Sequence, residues 1–222
     1  MGFKKWRLPQ ADPEHINNMI SQTGIPEIAA QILDGRDVTR IEDYISGPQD
    51  AKMHDPFLMK DMDKAVERLT RAVENGEQIA VYGDYDCDGI TATAMLYTYL
   101  EDLGARVIYY IPDRDREGYG LNCQALDFLK EQQIDLIVTV DNGVSALEEA
   151  RYAAQLGIDL VITDHHECKD KLPLAIAIVD PHKPGDTYPH KNLSGVALAF
   201  KLVCALSGNP EEMLREYADT RD

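Results

Sequence analysis

The sequence predicts an α/β fold, in which a mostly parallel sheet carries helices on both faces and follows a small helical segment. From residue 61 onward, strand-sized apolar runs alternate with segments whose apolar residues recur at helical spacing. Several of the helical segments end at a glycine, a common helix stop. This alternation is typical of a parallel sheet covered by helices. The 222 residues are enough for one such domain and a smaller appendage.

The first 60 residues contain short amphipathic patterns separated by turn residues. We predict a helical N-terminal segment at residues 1–60, with helices at Pro13–Ser21, Pro26–Leu33 and Val38–Ile45. No cluster of catalytic residue types occurs in it.

The main domain is predicted to span residues 61–222. Its strands are predicted at Ile79–Tyr82, Val107–Ile111, Leu136–Val140, Leu160–Thr163 and Ala175–Val179. Its helices are predicted at Asp61–Glu74, Ile90–Leu103, Cys123–Gln132, Ser145–Leu156 and Val196–Leu206. A loop, Gly83–Gly89, is expected after the first strand.

The composition is strongly acidic, with a formal net charge of -17. This charge alone disfavours nucleic-acid binding, because phosphate contacts use Lys and Arg, although acidic residues in a cleft also attract divalent cations. The four cysteines, at 87, 123, 168 and 204, lack the paired spacing of disulfide frameworks and zinc knuckles. No apolar run is long enough to span a bilayer. We expect a reduced cytoplasmic protein with no membrane partner.

Acidic residues follow four of the five predicted strands, where open α/β sheets bind their ligands. The segments are Gly83–Gly89 with Asp84 and Asp86, Asp141-Asn142-Gly143, Asp164-His165-His166, and Asp180-Pro181-His182. A single Asp in such a place is simply explained as a helix cap. Four converging carboxylates repel one another, however, and need a positive partner.

A divalent metal is the simplest partner, because Lys and Arg are nearly absent from these loops. Oxygen ligands in the majority, with some imidazole, favour Mn²⁺ or Mg²⁺ over Zn²⁺. Asp84 and Asp86 can face one ion or straddle two, and Asp141 from another strand can bridge them. The pattern predicts a two-metal site for displacement at phosphorus. Gly83–Gly89 matches neither of the common glycine-rich nucleotide-binding loops.

Six motifs, in this order, resemble the DHH phosphoesterase superfamily and, within it, the RecJ-type single-strand-specific exonucleases. They cover roughly residues 60–206. The motifs are Tyr82-Gly83-Asp84-Tyr85-Asp86-Cys87-Asp88-Gly89, Ile111-Pro112-Asp113-Arg114, Glu117-Gly118-Tyr119-Gly120-Leu121, Val140-Asp141-Asn142-Gly143, Thr163-Asp164-His165-His166, and the run from Val179-Asp180-Pro181-His182 through Leu193-Ser194-Gly195-Val196 to Phe200-Lys201-Leu202.

The resemblance implies roles for individual residues. The implied metal ligands are Asp84, Asp86, Asp141 and His165, with Asp141 as the bridge. The implied catalytic residues are His166 as a phosphate contact or general acid, Arg114 on the substrate phosphate, and Asp164, which would orient a histidine. The implied substrate-binding residues are Arg114, Asn142, Ser194 and Gly195.

Simpler explanations stand beside several of these roles. Arg114 is also explained by a surface ion pair with Asp113 or Asp115, and Ser194-Gly195 by capping of the late helix rather than phosphate binding. Tyr119 could stack on a base, but a tyrosine in the core is the more common case.

The chain departs from the family after the helix that contains Phe200. RecJ-type enzymes carry a further metal-binding Asp there, then a second domain and an oligonucleotide-binding domain, and residues 217–220 do not replace that Asp convincingly. We therefore expect a truncated chain that holds one metal well and the other poorly, and whose own activity is left open.

The function implied by the resemblance is a metal-dependent phosphodiesterase with Mn²⁺ or Mg²⁺ as cofactor. In its complete form it would degrade single-stranded DNA from the 5′ end in DNA repair and recombination, and protein partners from DNA repair are allowed. Two alternatives remain: a DHH phosphoesterase of short oligonucleotides or cyclic dinucleotides, and a non-catalytic module. The sequence predicts no oligomeric state.

Overall fold

The computed structural model describes residues 12–36, 38, 41 and 53–218. The chain divides into two compact units, Met1–Met53 and His54–Asp222. The sequence-based division after residue 60 remains a proposal.

The first unit contains two helices in its described part, α1 (Pro13–Thr23) and α2 (Glu27–Asp34). The Asp12 carboxylate caps α1 by accepting the N–H groups of Glu14 and His15. Buried Ile16, Met19, Ala30 and Ile41 form a small core. Both helices lie where the sequence predicts them. The third predicted helix, Val38–Ile45, lies outside the described residues apart from residues 38 and 41.

The second unit is built on five parallel strands, and the predicted α/β fold is confirmed. The strands are β1 (Gln78–Tyr82), β2 (Arg106–Tyr110), β3 (Leu136–Val140), β4 (Asp159–Thr163) and β5 (Ala177–Val179). Their order in the sheet is β2-β1-β3-β4-β5, and every neighbouring pair is parallel. The order reverses between β1 and β3, which makes that point the switch point of the sheet.

Six α-helices and one 3-10 turn accompany these strands in the described part of the second unit. They are the 3-10 turn Pro56–Leu58, α3 (Met62–Asn75), α4 (Cys87–Asp102), α5 (Cys123–Glu131), α6 (Leu147–Gln155), α7 (Gly195–Ser207) and α8 (Pro210–Ala218). The predicted loop Gly83–Gly89 is wrong in its second half, because α4 already begins at Cys87. Neither α8 nor the 3-10 turn is among the predicted elements.

Helices cover both faces of the sheet. On one face, α5 and α6 pack on alternate strand residues in a continuous core that includes Ala80, Ile137 and Ile162. On the other, α7 contacts β3 and β4 and packs against α3 and α4. Strands β1, β3, β4 and β5 are buried over most of their length, as expected for a parallel sheet with helices on each side, whereas the edge strand β2 is only partly buried. Within the described residues, no helix has both the length and the apolar content needed to cross a bilayer.

Candidate metal centre

Two carboxylates lie at the switch point of the sheet. Asp84 follows β1 and Asp141 follows β3, and these strands are neighbours in the middle of the sheet. Asp164 follows β4, the next strand along. The parallel register therefore delivers residues that are far apart in sequence to one edge of the sheet.

The first group of candidate ligands contains three carboxylates. One oxygen from each of Asp84, Asp86 and Asp141 lies within 4.8 Å of the others. Asp84 is buried, and Asp86 is exposed. Burial raises the pKa of Asp84, and the charge of Asp86 acts in the same direction. Carboxylates at this spacing repel one another unless a cation or a proton lies between them.

Asp141 is the most constrained of the three. It is 2% exposed and adopts φ of +63°, a left-handed conformation that is uncommon for a residue other than glycine. Its Oδ1 lies 2.9 Å from Nε2 of His165 but lacks a hydrogen-bond donor among the described residues, so the two atoms are close without being aligned for a hydrogen bond. Burial, followed by the charges of Asp88 and Asp86, raises the pKa of Asp141 to about 7.

A second group of candidate ligands shares Asp141 with the first. Atoms of Asp141, His165 and His166 lie within 4.8 Å of one another. Asp141 therefore occupies the position expected of a bridging ligand. His166, for which the resemblance implied a phosphate contact, also reaches ligand distance.

Asp164 holds His166. It is 1% exposed; its Oδ1 lies 2.7 Å from Nδ1 of His166, and its Oδ2 accepts the N–H of Val144 at 2.9 Å. Burial alone would raise the pKa of Asp164, but these hydrogen bonds hold it below its ordinary value. The same contact raises the pKa of His166 to about 9. With Nδ1 bonded to Asp164, Nε2 is the ring nitrogen available to the site.

Two glycines let the backbone approach the carboxylates closely. A Cβ at Gly89 would lie 2.6 Å from Cβ of Asp84, and a Cβ at Gly195 would lie 2.5 Å from Cβ of Asp141. Real side chains do not tolerate such distances. The first turns of α4 and α7 therefore pack directly against Asp84 and Asp141, respectively.

The donor set fits a divalent cation. Among the described residues, no Lys or Arg forms an ion pair with Asp84, Asp86 or Asp141. Their negative charge therefore has no fixed Lys or Arg partner, and buried Oδ1 of Asp141 has no hydrogen-bond donor in the described part of the chain. Oxygen ligands with imidazole suit Mn²⁺ or Mg²⁺.

Asp180, which the sequence also places at a strand end, joins neither ligand group in the described structure. It is fully buried, its Oδ1 accepts the N–H of His182 at 2.7 Å, and Sγ of Cys168 lies 3.5 Å from its Oδ2. Burial raises the pKa of Asp180 to about 6. Its contacts connect the loop after β5 to the segment after β4.

Arg114 and Tyr119 lie at the rim of the site. The Arg114 guanidinium lies 5.3 Å from the ring centre of Tyr85, and none of the ion pairs in the described residues includes Arg114. The simpler explanation of Arg114 as an ion-pair partner of Asp113 or Asp115 is therefore wrong. Tyr119 is 54% exposed, and its ring meets those of Tyr85 and His166 edge-on. The expectation of a core tyrosine is wrong as well.

Three predicted substrate-binding residues have structural roles here. Asn142 is fully buried, and its amide group donates to the carbonyls of Val140 and Tyr82. Ser194 caps α7 by accepting the N–H of Ala197, the simpler of the two explanations. The N–H of Gly195 donates to Asp88 at 2.7 Å and is not free for a phosphate in this structure.

Asp88 is the residue that sequence reasoning missed. It lies in the first turn of α4, and its carboxylate accepts N–H groups from the first turn of α7. Because Asp88 was predicted to lie in a loop, its contact with another helix could not be anticipated. Its position as the third Asp in the alternating run after β1 was the available signal.

A cleft of about 290 Å³ opens beside His166 and Asp164. Its walls include Tyr119, residues 143–146, and Glu149. The cleft adjoins the second group of candidate ligands, so a molecule bound in it would lie next to that group.

The second unit matches a known protein family. Residues 78–220 match the DHH family, N-terminal domain. The chain belongs to the DHH family. This confirms the resemblance inferred from the six motifs.

Relatives within the DHH family agree with the RecJ-type resemblance. The chain is 43% identical over 213 residues to the single-stranded-DNA-specific exonuclease RecJ of Bacillus subtilis (strain 168), covering 95% of this chain and 27% of that protein. It resembles a crystal structure of RecJ from Thermus thermophilus in complex with Mn²⁺, with a TM-score of 0.70 and 29% identity over 93% of this chain and 29% of the other. A crystal structure of exonuclease RecJ bound to manganese matches with a TM-score of 0.63 and 35% identity, covering 68% of this chain and 38% of the other. The chain thus spans only about a quarter of the length of the Bacillus subtilis relative.

Proposed function

We propose that this chain provides the catalytic metal centre of a phosphodiesterase that uses Mn²⁺ or Mg²⁺. As part of the whole protein it would remove nucleotides from the 5′ end of single-stranded DNA, in DNA repair and recombination and in the cytoplasm. The relatives support the substrate and the metal, because they are named single-stranded-DNA-specific exonucleases and two RecJ structures hold Mn²⁺. The 5′ polarity comes from the family resemblance.

One observation carries the proposal: two groups of candidate ligands share buried Asp141 at the switch point of the sheet. The first group, with Asp84 and Asp86, offers oxygen alone, and the second adds the imidazole nitrogen of His165, with His166 beside it. An arrangement that only stabilised the fold would not gather three carboxylates without a Lys or Arg to balance them.

Bound metal ions would activate a water molecule and neutralise charge on the phosphate oxygens. Around them we assign roles to residues of this chain. Asp84, Asp86, Asp141 and His165 hold the ions. Asp164 keeps His166 oriented and protonated at neutral pH, so that Nε2 can donate a proton or hydrogen bond to a phosphate oxygen.

Arg114 and Tyr119 would bind the DNA strand at the rim. The Arg114 side chain is free of ion pairs in the described residues and can bind a phosphate with two parallel hydrogen bonds. The half-exposed ring of Tyr119 offers a surface for a base, and the cleft beside it leaves room for part of the terminal nucleotide.

The test is metal-dependent hydrolysis, by the whole protein that contains this chain, of a long single strand labelled at its 5′ or 3′ end. With Mn²⁺ present, we expect label to be released first from the 5′ end, and we expect Asp141→Asn to abolish release. Asp127→Asn, an exposed acid outside the ligand groups, is the matched control and should keep full activity. Absence of metal-dependent release, or full activity of Asp141→Asn, would refute the proposal.

The same assay separates the alternative substrates. A short dinucleotide or cyclic dinucleotide hydrolysed faster than the long strand would replace the exonuclease proposal with that of a small-substrate phosphoesterase. The metal centre would then be retained and the substrate corrected.

A further inference from the structure

Asp88 connects two helices beside the metal centre without belonging to either ligand group. It lies in the first turn of α4, and the N–H groups of Gly195 and Val196, the first two residues of α7, each donate to its carboxylate at 2.7 Å. The two bonds go to different oxygens, Oδ2 and Oδ1. This is a two-point clamp between an anion and a helix N-terminus.

The two hydrogen bonds of this clamp are strong. Hydrogen bonds from backbone amides to an ionised carboxylate are shorter and about twice as strong as bonds between neutral groups. The positive end of the α7 dipole adds to the attraction. Two amides that would otherwise suit a phosphate are therefore already satisfied from within the chain.

The clamp also bears on Asp141. The backbone at Gly195 approaches Asp141 so closely that a Cβ there would lie 2.5 Å from Cβ and 2.6 Å from Cγ of that residue. Because Asp88 bonds to the Gly195 N–H, it holds this stretch of backbone against the Asp141 side chain. Its Oδ2 also lies 3.7 Å from Nε2 of His165. The Asp88 carboxylate therefore lies beside His165 and bonds to the backbone that packs against Asp141, and both of these residues are candidate ligands.

We propose that Asp88 is a positioning residue of the metal centre: it acts as the chain's own anion at the N-terminus of α7, closes that terminus to substrate phosphate, and fixes the backbone at Gly195 against Asp141. The consequence for the metal centre rests on the proposed function, whereas the occupancy of the α7 terminus does not. It follows that substrate phosphate is held by Arg114 and the metal centre, not by α7.

The first experiment uses metal-free protein and sulfate as a tetrahedral anion. In Asp88→Ala the two amides lose their acceptor, so sulfate should bind there and raise the melting temperature of this variant by several degrees more than that of the unmodified chain. Sodium chloride at matched ionic strength corrects for screening, and the difference between variants corrects for the general effect of sulfate on stability. Equal shifts in the two proteins would overturn the proposal.

The second experiment measures Mn²⁺ affinity by calorimetry. Asp88→Asn keeps the size of the side chain but loses the charge and one acceptor oxygen, and we expect it to weaken Mn²⁺ binding by about tenfold to a hundredfold. Asp88→Ala should lose as much Mn²⁺ affinity and regain part of it when sulfate is added. A merely structural role would not predict this recovery. Asp102→Asn, an exposed acid on the same helix, should bind Mn²⁺ as the unmodified chain does.

The outcomes separate the two proposals. If the unmodified chain binds no Mn²⁺, the proposed function fails, and the sulfate experiment still decides whether Asp88 occupies the α7 terminus. If the unmodified chain binds Mn²⁺ and Asp88→Asn binds it equally tightly, the role of Asp88 in positioning fails alone. Should Asp88→Ala not fold, Asp88→Ser replaces it, since serine has one uncharged oxygen on a shorter side chain in place of the two carboxylate oxygens that the amides use.

Discussion

Asp141 is the residue on which the site depends. Its left-handed backbone places a buried carboxylate between two groups of ligands, and its N–H is bonded to the carbonyl of Thr163 on β4. Backbone conformations of this kind cost free energy and persist where the surrounding structure enforces them, often at functional sites. Here the neighbouring strand and the α7 terminus provide that enforcement.

The acidity of Asp141 predicts how metal binding depends on pH. Burial raises the pKa of its carboxyl to about 7 in the metal-free protein, so the group is about half protonated at neutral pH. A metal must displace that proton. Mn²⁺ affinity should therefore be nearly constant above pH 8 and fall by about tenfold per pH unit below pH 7.

Calorimetry in two buffers of different ionisation enthalpy checks this prediction through the number of protons released. About half a proton should leave Asp141 at pH 7, and close to none above pH 8. An Mn²⁺ affinity that stays constant from pH 8 down to pH 5 would show that Asp141 is not a ligand.

Arg114 predicts a second effect at the scale of one residue. Removing a charged hydrogen-bond donor to a phosphate costs about 1.5–3 kcal/mol, so Arg114→Ala should raise KM for single-stranded DNA by about tenfold to a hundredfold. Mn²⁺ affinity should not change, because Arg114 lies outside the ligand groups. Steady-state kinetics measure the first quantity and calorimetry the second.

Arg116→Ala is the control for Arg114. Arg116 lies two residues away, and its side chain is 86% exposed. Its ion pair is weak, because its Nε lies 4.0 Å from Oδ2 of Asp113. Its loss should leave KM within about twofold of the unmodified value, because exposed ion pairs contribute little. If both variants raise KM equally, the effect is general electrostatic attraction and not a specific contact.

At the scale of elements, the start of α4 shows where the sequence is ambiguous. Asp84, Asp86 and Asp88 with two glycines suggest a loop, yet the carboxylate of Asp86 accepts the N–H of Gly89 at 2.9 Å and starts the helix at Cys87. Asp is among the best N-cap residues. Local propensity could not show that the residue chosen as a metal ligand is also the cap.

The double role of Asp86 can be separated by two substitutions. Asn caps helices about as well as Asp, so Asp86→Asn should keep the stability of the metal-free protein while weakening Mn²⁺ binding. Asp86→Ala should weaken Mn²⁺ binding similarly and also lose about 1 kcal/mol of unfolding free energy. Chemical denaturation of the metal-free variants measures the stability difference, and equal stability of Asn and Ala variants would contradict the capping role.

Among the remaining features, the local sequence predicts the strands, whereas the contacts between distant segments depend on tertiary packing. The strands carry apolar runs that identify them directly, and all five lie within two residues of their predicted ends. The ends of the parallel strands then bring Asp84 and Asp141 together. The partners of Gly195 and Arg114 could not be predicted, because they depend on how α7 and the loop after β2 pack.

At the scale of the whole molecule, the acidic net charge is consistent with a site that binds metal cations. A net charge of -17 repels nucleic acid, so the acidic cleft can accept a phosphate only when cations occupy it. The chain spans 27% of the Bacillus subtilis relative, and the remainder of such a protein would contribute its own contacts to a DNA strand. Metal binding is therefore the property that this chain must show by itself.

Anomalous diffraction from a crystal of this chain soaked in Mn²⁺ tests the central claim most directly. We expect two peaks roughly 3.5–4 Å apart, one beside Asp84 and Asp86 and one beside His165, with Asp141 between them. No peak at Asp141, or Mn²⁺ bound only at surface carboxylates, would contradict the account.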